Sequence, residues 1–267
     1  MKTQRFGDIS VQKVLDGVEN FKANIAFPEI DLEIFNQHKS WVEPFYDFAT
    51  QTIKISMHSY VISTPEINIL VDTCIGNDKN RVGNGPIYKA NADVLSHWNL
   101  RESPYLNNLN NIGLTTEDID YVMCTHLHAD HVGWNTYLNN GQWIPTFPKA
   151  QYIFSKEDYN FFNNVSEGSQ GYQSMIDSVR PIVDAGQSKI VNYDFQISNE
   201  ITLLHTPGHT PGHFCINVSS SNEHAILSGD ILHHPIQISC PNLDTNFCND
   251  PKMATKERLK FIDKYTN

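Results

Sequence analysis

The sequence predicts an α/β fold in which two β-sheets are flanked by external helices. Strand and helix patterns alternate up to about residue 183, and strands then follow one another directly over residues 189–230. The chain has 267 residues, of which 40% are hydrophobic, and this is enough for a two-sheet core. Alternating elements favour one sheet with helices, and the later run of strands favours a second sheet.

The early elements of the chain are predicted to be strands. Residues 8–15 resemble a strand, and apolar residues alternate with polar ones over residues 53–57 and again over residues 67–71. A polar turn at residues 64–66 separates the last two stretches. Together they predict a hairpin whose second strand ends directly before Asp72.

Helices are predicted between the later strands. A short helix is expected over residues 93–99. A strand over residues 151–154 leads to Ser155, which is placed to cap a helix over residues 156–162. Another helix is expected over residues 173–183, before the chain changes to successive strands.

A run of metal-binding side chains follows the apolar stretch 121–124 directly. It contains three imidazoles and one carboxylate, which are His126, His128, Asp130 and His131. Imidazole nitrogen and carboxylate oxygen are ligands that a divalent ion such as zinc accepts. The alternative is a polar loop whose histidines merely lie near one another. The spacing favours a transition-metal site at the end of a strand.

Two later segments offer the further metal ligands that this run does not contain. A zinc ion bound by His126 and His128 needs a third protein ligand, and His209 in a Thr-Pro-Gly-His turn is the candidate. Asp230, at the end of a short apolar strand, has two oxygens and could bridge two ions about 3.5 to 4 Å apart. Taken alone, both segments are also ordinary turns.

These motifs and their order resemble those of the metallo-β-lactamase-fold superfamily, and residues 57–250 are most similar to its lactonase and organophosphate-hydrolase branch. The resemblance implies one domain over residues 1–267, folded as a four-layer αββα sandwich with two zinc ions at one edge of the sheets. Asp130 and His131 would begin the second ion's site. Asp72 would orient a metal ligand from outside the coordination shell.

One departure from the family pattern concerns a further metal-ligand histidine on a late strand. No histidine follows His234, and the last segment, residues 250–264, is predicted to be a helix capped by Asp250. We expect that the sequence ends before the final strand. The alternatives are that His233 or His234 replaces the missing ligand, or that the enzyme works with one ion.

The resemblance implies a zinc-dependent hydrolase that attacks an ester, lactone or phosphotriester bond with metal-bound hydroxide, while Asp130 carries a proton to the leaving group. His128 stands where a diiron electron-transfer protein of this fold has glutamate, and Asp230 stands where one β-lactamase type has cysteine. The alternatives are a glutathione-thioester hydrolase, a persulfide dioxygenase, or a degenerate metal-binding member without activity.

Charge and hydropathy narrow the expected partners. The formal net charge of −11 leaves no basic stripe, so a small-molecule substrate is expected rather than nucleic acid. No apolar run approaches the roughly 18 residues of a membrane span, and the first residues lack the apolar core of a signal peptide. A cytoplasmic protein without membrane association is therefore expected. The oligomeric state, the native metal and the exact substrate are left open.

Overall fold

The computed structural model describes residues 3–82, 89, 95–167 and 169–266. Its larger sheet has the strand order β1-β2-β4-β5-β6-β9-β10, with β3 paired to β4. The strands of this sheet are β1 (Gln4–Phe6), β2 (Ile9–Lys22), β3 (Tyr46–Asp47), β4 (Thr52–Ser63), β5 (Asn68–Val71), β6 (Tyr121–Met123), β9 (Gln151–Ser155) and β10 (Ser188–Val191). The segment from β5 through β6 and β9 to β10 is parallel, and the other pairs are antiparallel.

A smaller antiparallel sheet faces the larger one, and its strands are β11 (Ile201–His205), β12 (Phe214–Ser220) and β13 (Glu223–Leu227). A separate hairpin is formed by β7 (Thr136–Asn139) and β8 (Gln142–Pro145). The predicted α/β class with two sheets is therefore confirmed. The predicted hairpin before Asp72 is also confirmed, as the antiparallel pair β4 and β5.

Strand β5 shows why the sheets pack together. Ile69 and Val71 belong to the core between the sheets, together with Leu203 and Ile216 of the smaller sheet. Leu70 points to the opposite face, into the core beneath the helices. A strand buried on both faces requires the nearly continuous apolar run that this segment has.

Within the described residues the helices are α1 (Ala23–Ala26), α2 (Glu33–Gln37), α3 (Lys39–Val42), α4 (Tyr105–Asn111), α5 (Ala129–Val132), α6 (Lys156–Asn163), α7 (Gln170–Ser174), α8 (Arg180–Asp184), α9 (Ile236–Ser239) and α10 (Pro251–Thr266). Ser155 accepts a hydrogen bond from the Asp158 amide and caps α6, as predicted. A π-helical turn, Met175–Val179, joins α7 to α8 over the predicted helix 173–183. Asp250 caps α10 through the Met253 amide.

Two predicted boundaries need correction. Strand β2 reaches Lys22 rather than residue 15, because a bulge at Asp16 interrupts the alternation of the sequence without ending the pairing with β4. Part of the predicted helix 93–99 lies outside the described residues. The remainder is a single 3₁₀ turn, Ser96–Trp98.

The candidate site lies where strands of both sheets end. Strands β5 and β6 of the larger sheet, and β11 and β13 of the smaller sheet, are each followed by a segment that reaches the site. Ligands commonly bind at the carboxyl ends of parallel strands in α/β folds. Among the described residues, no helix combines the length and apolarity needed to cross a membrane.

Candidate metal site

Three imidazoles predicted from the sequence meet at one point. His126 Nε2 lies 3.0 Å from His128 Nδ1 and 2.9 Å from His209 Nε2. His128 Nδ1 and His209 Nε2 are separated by 2.9 Å. The structure thus brings together two side chains from the loop after β6 and one from the loop after β11.

The three imidazoles are held in the neutral form. Burial, followed by the neighbouring histidines, lowers the pKa of His126 well below its usual value. Burial likewise lowers the pKa of His128 to about 3, and the pKa of His209 is also well below normal. A neutral imidazole keeps a lone pair on one ring nitrogen, so these nitrogens suit a cation.

A second group of side chains adjoins the first. His131 Nε2 lies 3.4 Å from Asp230 Oδ2 and 3.7 Å from Asp130 Oδ2. The same Asp230 oxygen lies 3.4 Å from His209 Nε2, between the two groups. All six metal-ligand residues predicted from the sequence therefore lie around one small volume, with the Asp230 carboxylate in the middle.

Charge distinguishes this second group from the first. Burial alone would lower the pKa of His131, but the carboxylates of Asp230, Asp72 and Asp130 raise it well above its usual value. Burial raises the pKa of Asp130, and the nearby Asp230 carboxylate adds to that shift. The pKa of Asp230 is well below normal, because His131 and other histidines outweigh burial.

Asp72 orients His131, as the resemblance implied. Its Oδ2 accepts a hydrogen bond of 2.9 Å from His131 Nδ1, which directs Nε2 toward Asp230. Its Oδ1 accepts a hydrogen bond of 2.7 Å from the Thr125 amide. Asp72 has a φ of 58° in the left-handed region, which a short polar side chain at a strand end tolerates. One carboxylate therefore fixes both the ring and the start of the histidine loop.

His213 fixes the position of Asp230. Its Nδ1 lies 2.8 Å from Thr206 Oγ1, and its Nε2 accepts a hydrogen bond of 2.9 Å from the Asp230 amide. Gly229 has a φ of 50°, and a Cβ there would lie 2.6 Å from His213 Nε2. Only glycine therefore permits this approach of the backbone to the histidine.

Asp158 was missed by the sequence reasoning. Its Oδ2 accepts hydrogen bonds from the Leu127 amide (3.1 Å) and from Thr210 Oγ1 (2.9 Å), and its Oδ1 accepts one from the Gly212 amide (2.6 Å). This buried carboxylate thus ties the loop that carries His126 to the loop that carries His209. Its sequence signal is weak, because an acidic residue in the first turn of a helix is common.

His233 and His234, whose roles the sequence left open, have different surroundings. His233 Nε2 lies 3.5 Å from Asp230 Oδ2 at the edge of the site. His234 points away, and its Nε2 lies 3.0 Å from the carbonyl oxygen of Phe45. Only His233 therefore borders the metal-binding volume.

A cavity of about 1300 Å³ opens above these groups. Asp130, His128 and Asp230 lie among its lining residues, and Lys13 and Lys54 line it as well. Its walls include aromatic side chains, namely Phe21, Phe45, Trp98, Phe162 and Phe247. Such a cavity can bury a small molecule of largely apolar surface while presenting one part of it to the polar floor.

Known proteins resemble this chain in sequence. The family model described as the metallo-beta-lactamase superfamily matches residues 56–262. An N-acyl homoserine lactonase from a Bacillus species is 28% identical over 180 residues, which cover 66% of this chain. The match spans 64% of that lactonase's own length.

Solved structures share the fold. A probable metal-dependent hydrolase from Staphylococcus aureus superposes with a TM-score of 0.76 at 22% identity, covering 98% of this chain and 87% of that one. AidC, a dizinc quorum-quenching lactonase in complex with its product, superposes with a TM-score of 0.73 at 21% identity, covering 98% of this chain and 85% of that one.

Proposed function

We propose that this chain, which belongs to the metallo-beta-lactamase superfamily, is a zinc-dependent hydrolase of lactones, carboxylic esters or phosphotriesters, with lactones the preferred class. The observation that carries the proposal is the convergence of three neutral imidazoles beside two carboxylates at the floor of the cavity. Both sheets contribute residues to this floor, which supports one domain over residues 1–267.

The donor set fits two divalent ions. His126, His128 and His209 would hold the first ion through ring nitrogens that already lie within 3.0 Å of one another. The second ion would be held by Asp130 and His131, with Asp230 shared between the ions. Imidazole nitrogen and carboxylate oxygen are ligands that zinc accepts. When bound, such ions supply Lewis-acid polarisation of a substrate oxygen and activation of water.

The side chains around these groups control position and protonation. Asp72 fixes the ring of His131, and His213 fixes the backbone of Asp230. Burial raises the pKa of Asp130, so its carboxyl accepts a proton more readily than an exposed carboxyl does and can deliver it to the leaving oxygen. The aromatic walls exclude water from the substrate, which strengthens electrostatic interactions at the floor.

The preference for lactones rests on the cavity and on the relatives. Its apolar walls favour a substrate that carries a hydrocarbon chain. The Bacillus relative is an N-acyl homoserine lactonase, and AidC is a lactonase crystallised with its product. We extend that substrate class to this chain.

The test is a measurement of zinc content per chain together with hydrolysis of four substrates. These are an acylated lactone, an aryl ester, a phosphotriester and a glutathione thioester. We expect zinc to bind and the lactone to give the highest kcat/KM. Full zinc occupancy without turnover of any substrate would identify a metal-binding member without this activity, and preference for the thioester would replace the lactone assignment.

A further inference from the structure

His233 is a buried histidine whose ring nitrogens have no partner. Its side chain is only 5% exposed. Within the part of the chain that the structure describes, neither Nδ1 nor Nε2 forms a hydrogen bond. Buried polar atoms in proteins are almost always paired. The unpaired nitrogens of this buried ring indicate that it binds a partner from outside the protein chain, such as a metal ion.

The ring of His233 points at the metal-binding volume. Its Nε2 lies 3.5 Å from Asp230 Oδ2, and that oxygen is 3.4 Å from both His131 Nε2 and His209 Nε2. His233 forms no hydrogen bond with this oxygen. Three imidazole nitrogens thus surround one carboxylate oxygen at spacings typical of ligands that share a cation.

The local backbone explains this placement. A 3₁₀ turn, Gly229–Ile231, follows β13, and Leu232 is extended directly after it, so His233 lies two residues beyond the turn. The Gln237 side chain accepts a hydrogen bond of 2.8 Å from the His233 amide, which holds the backbone in place after the turn.

The ring itself is held by packing. Its centroid lies 4.8 Å from that of His209 and 5.6 Å from that of Phe247. Neither neighbour offers it a hydrogen bond. Packing therefore orients the ring and leaves Nε2 free toward Asp230.

His234, the next residue in the chain, differs from His233 in that its ring nitrogens have partners. Its Nε2 lies 3.0 Å from the Phe45 carbonyl oxygen, and its Nδ1 accepts a hydrogen bond of 3.1 Å from the Ile236 amide. Both nitrogens are thus satisfied by the backbone. His234 therefore has a structural role, whereas the Nε2 atom of His233 at the site is free to bind a metal ion.

We propose that His233 is a protein ligand of the second cation, through Nε2 and beside Asp230. The proposal rests on the proposed metal-dependent function and adds a ligand from the segment directly after β13. The second ion would then have an imidazole on either side of the Asp230 carboxylate, from His131 and from His233.

The test is zinc titration of metal-free protein, followed by measurement of zinc retained per chain. We expect two ions per wild-type chain and one per His233→Ala chain. The affinity for the second ion should fall by more than the roughly 10- to 100-fold that follows loss of a partner outside the coordination shell. His233→Leu, which refills the space of the ring, should behave in the same way with an unchanged melting temperature. His234→Asn is the matched control and should keep both ions, even if it melts earlier.

A second readout identifies the ligand directly. With cobalt(II) in place of zinc, ring N–H protons of bound imidazoles give strongly shifted NMR signals. His233→Leu should lose one such signal, and His234→Asn should lose none. Two ions of unchanged affinity in the His233 variants would overturn the role of His233 and leave the proposed function standing. A wild-type chain that binds fewer than two ions would overturn both the second cation and its ligand.

Discussion

The two halves of the candidate site differ in what keeps their donor atoms available. The first half consists of His126, His128 and His209, whose imidazoles burial keeps neutral. The second half joins Asp130 and Asp230 to His131, whose pKa the carboxylates raise. In the first half the imidazole nitrogens therefore have lone pairs that can bind a cation. In the second half the raised pKa of His131 favours a proton on the nitrogen that would bind the cation.

This difference assigns separate tasks to the two halves. Neutral imidazoles bind an ion without first releasing a proton, which suits a tightly held ion. A cluster of carboxylates around a protonated imidazole can exchange protons, which suits acid and base chemistry. The predictions below test whether the halves are as distinct as their electrostatics indicate.

The largest effect is expected from His209→Ala, since His209 faces both halves. Its Nε2 contacts the first group and lies 3.4 Å from Asp230. We expect loss of the first ion, weaker binding of the second, and a fall in kcat/KM beyond the roughly 10²- to 10⁴-fold that follows loss of a proton-transfer group. Metal analysis and kinetics measure this. His205→Ala is the control, because His205 pairs with the exposed Glu157 instead. Full zinc content in His209→Ala would contradict the assignment.

A smaller effect is expected from Asp130→Asn, which tests proton transfer in the second half. The amide cannot take up a proton near neutral pH, so we expect kcat to fall by about 10²- to 10⁴-fold. The zinc content of the variant, measured in parallel, shows whether kcat falls because proton transfer is lost or because the ion is lost. A variant that keeps both its metal and full turnover would refute the proton role of Asp130.

Lowering the pH should release the two ions at different pH values in the wild-type protein. In the metal-free protein the raised pKa of His131 means that a proton competes with the cation for its ring. The pKa of His128 is lowered to about 3, so its lone pair stays free in mild acid. We expect the second ion to leave before the first as the pH is lowered. Zinc content after equilibration at each pH measures the order, and simultaneous loss would show that the halves are not distinct.

The sequence predicted the parts of the site that are local. The histidine run follows a strand directly, so the position of His126 and His128 could be inferred from residues next to them. The hairpin before Asp72 was predicted for the same reason, since alternation over a few residues reflects a local period. The strand β2 was predicted too short, because the bulge at Asp16 breaks that period.

His209 and Asp230 were placed at the site by their family motifs, but contacts between distant segments that no motif marks could not be predicted. His233 and His234 are neighbours in the sequence, and only the turn held by Gln237 decides which ring meets the site. Asp158 acts on residues 31 and 54 positions away, Leu127 and Gly212. No local pattern reports such a contact, and the carboxylate resembles any other at the start of a helix.

The last prediction concerns Asp158, which holds the two histidine loops of the first half together. In Asp158→Asn the amide NH₂ group must face either the Gly212 amide or the Leu127 amide, so one buried donor loses its acceptor. Such a loss costs about 1 to 3 kcal/mol of unfolding free energy. Urea unfolding measures it, and the exposed neighbour variant Glu157→Gln should change stability by less than about 1 kcal/mol.

The contribution of Asp158 to the unfolding free energy should depend on pH, because its carboxyl is buried. An exposed carboxyl would show no such dependence. Burial raises the pKa of Asp158 to about 6, above its usual value of 3.8, so the folded protein binds this proton more tightly than the unfolded chain. The Asp158 contribution to stability should therefore decline as the pH rises from about 4 to about 6, and then level off. The wild-type minus Asp158→Asn difference in unfolding free energy isolates this contribution. A difference independent of pH would show that the pKa of Asp158 is the same in the folded and unfolded states, so that its hydrogen bonds fully offset the effect of burial.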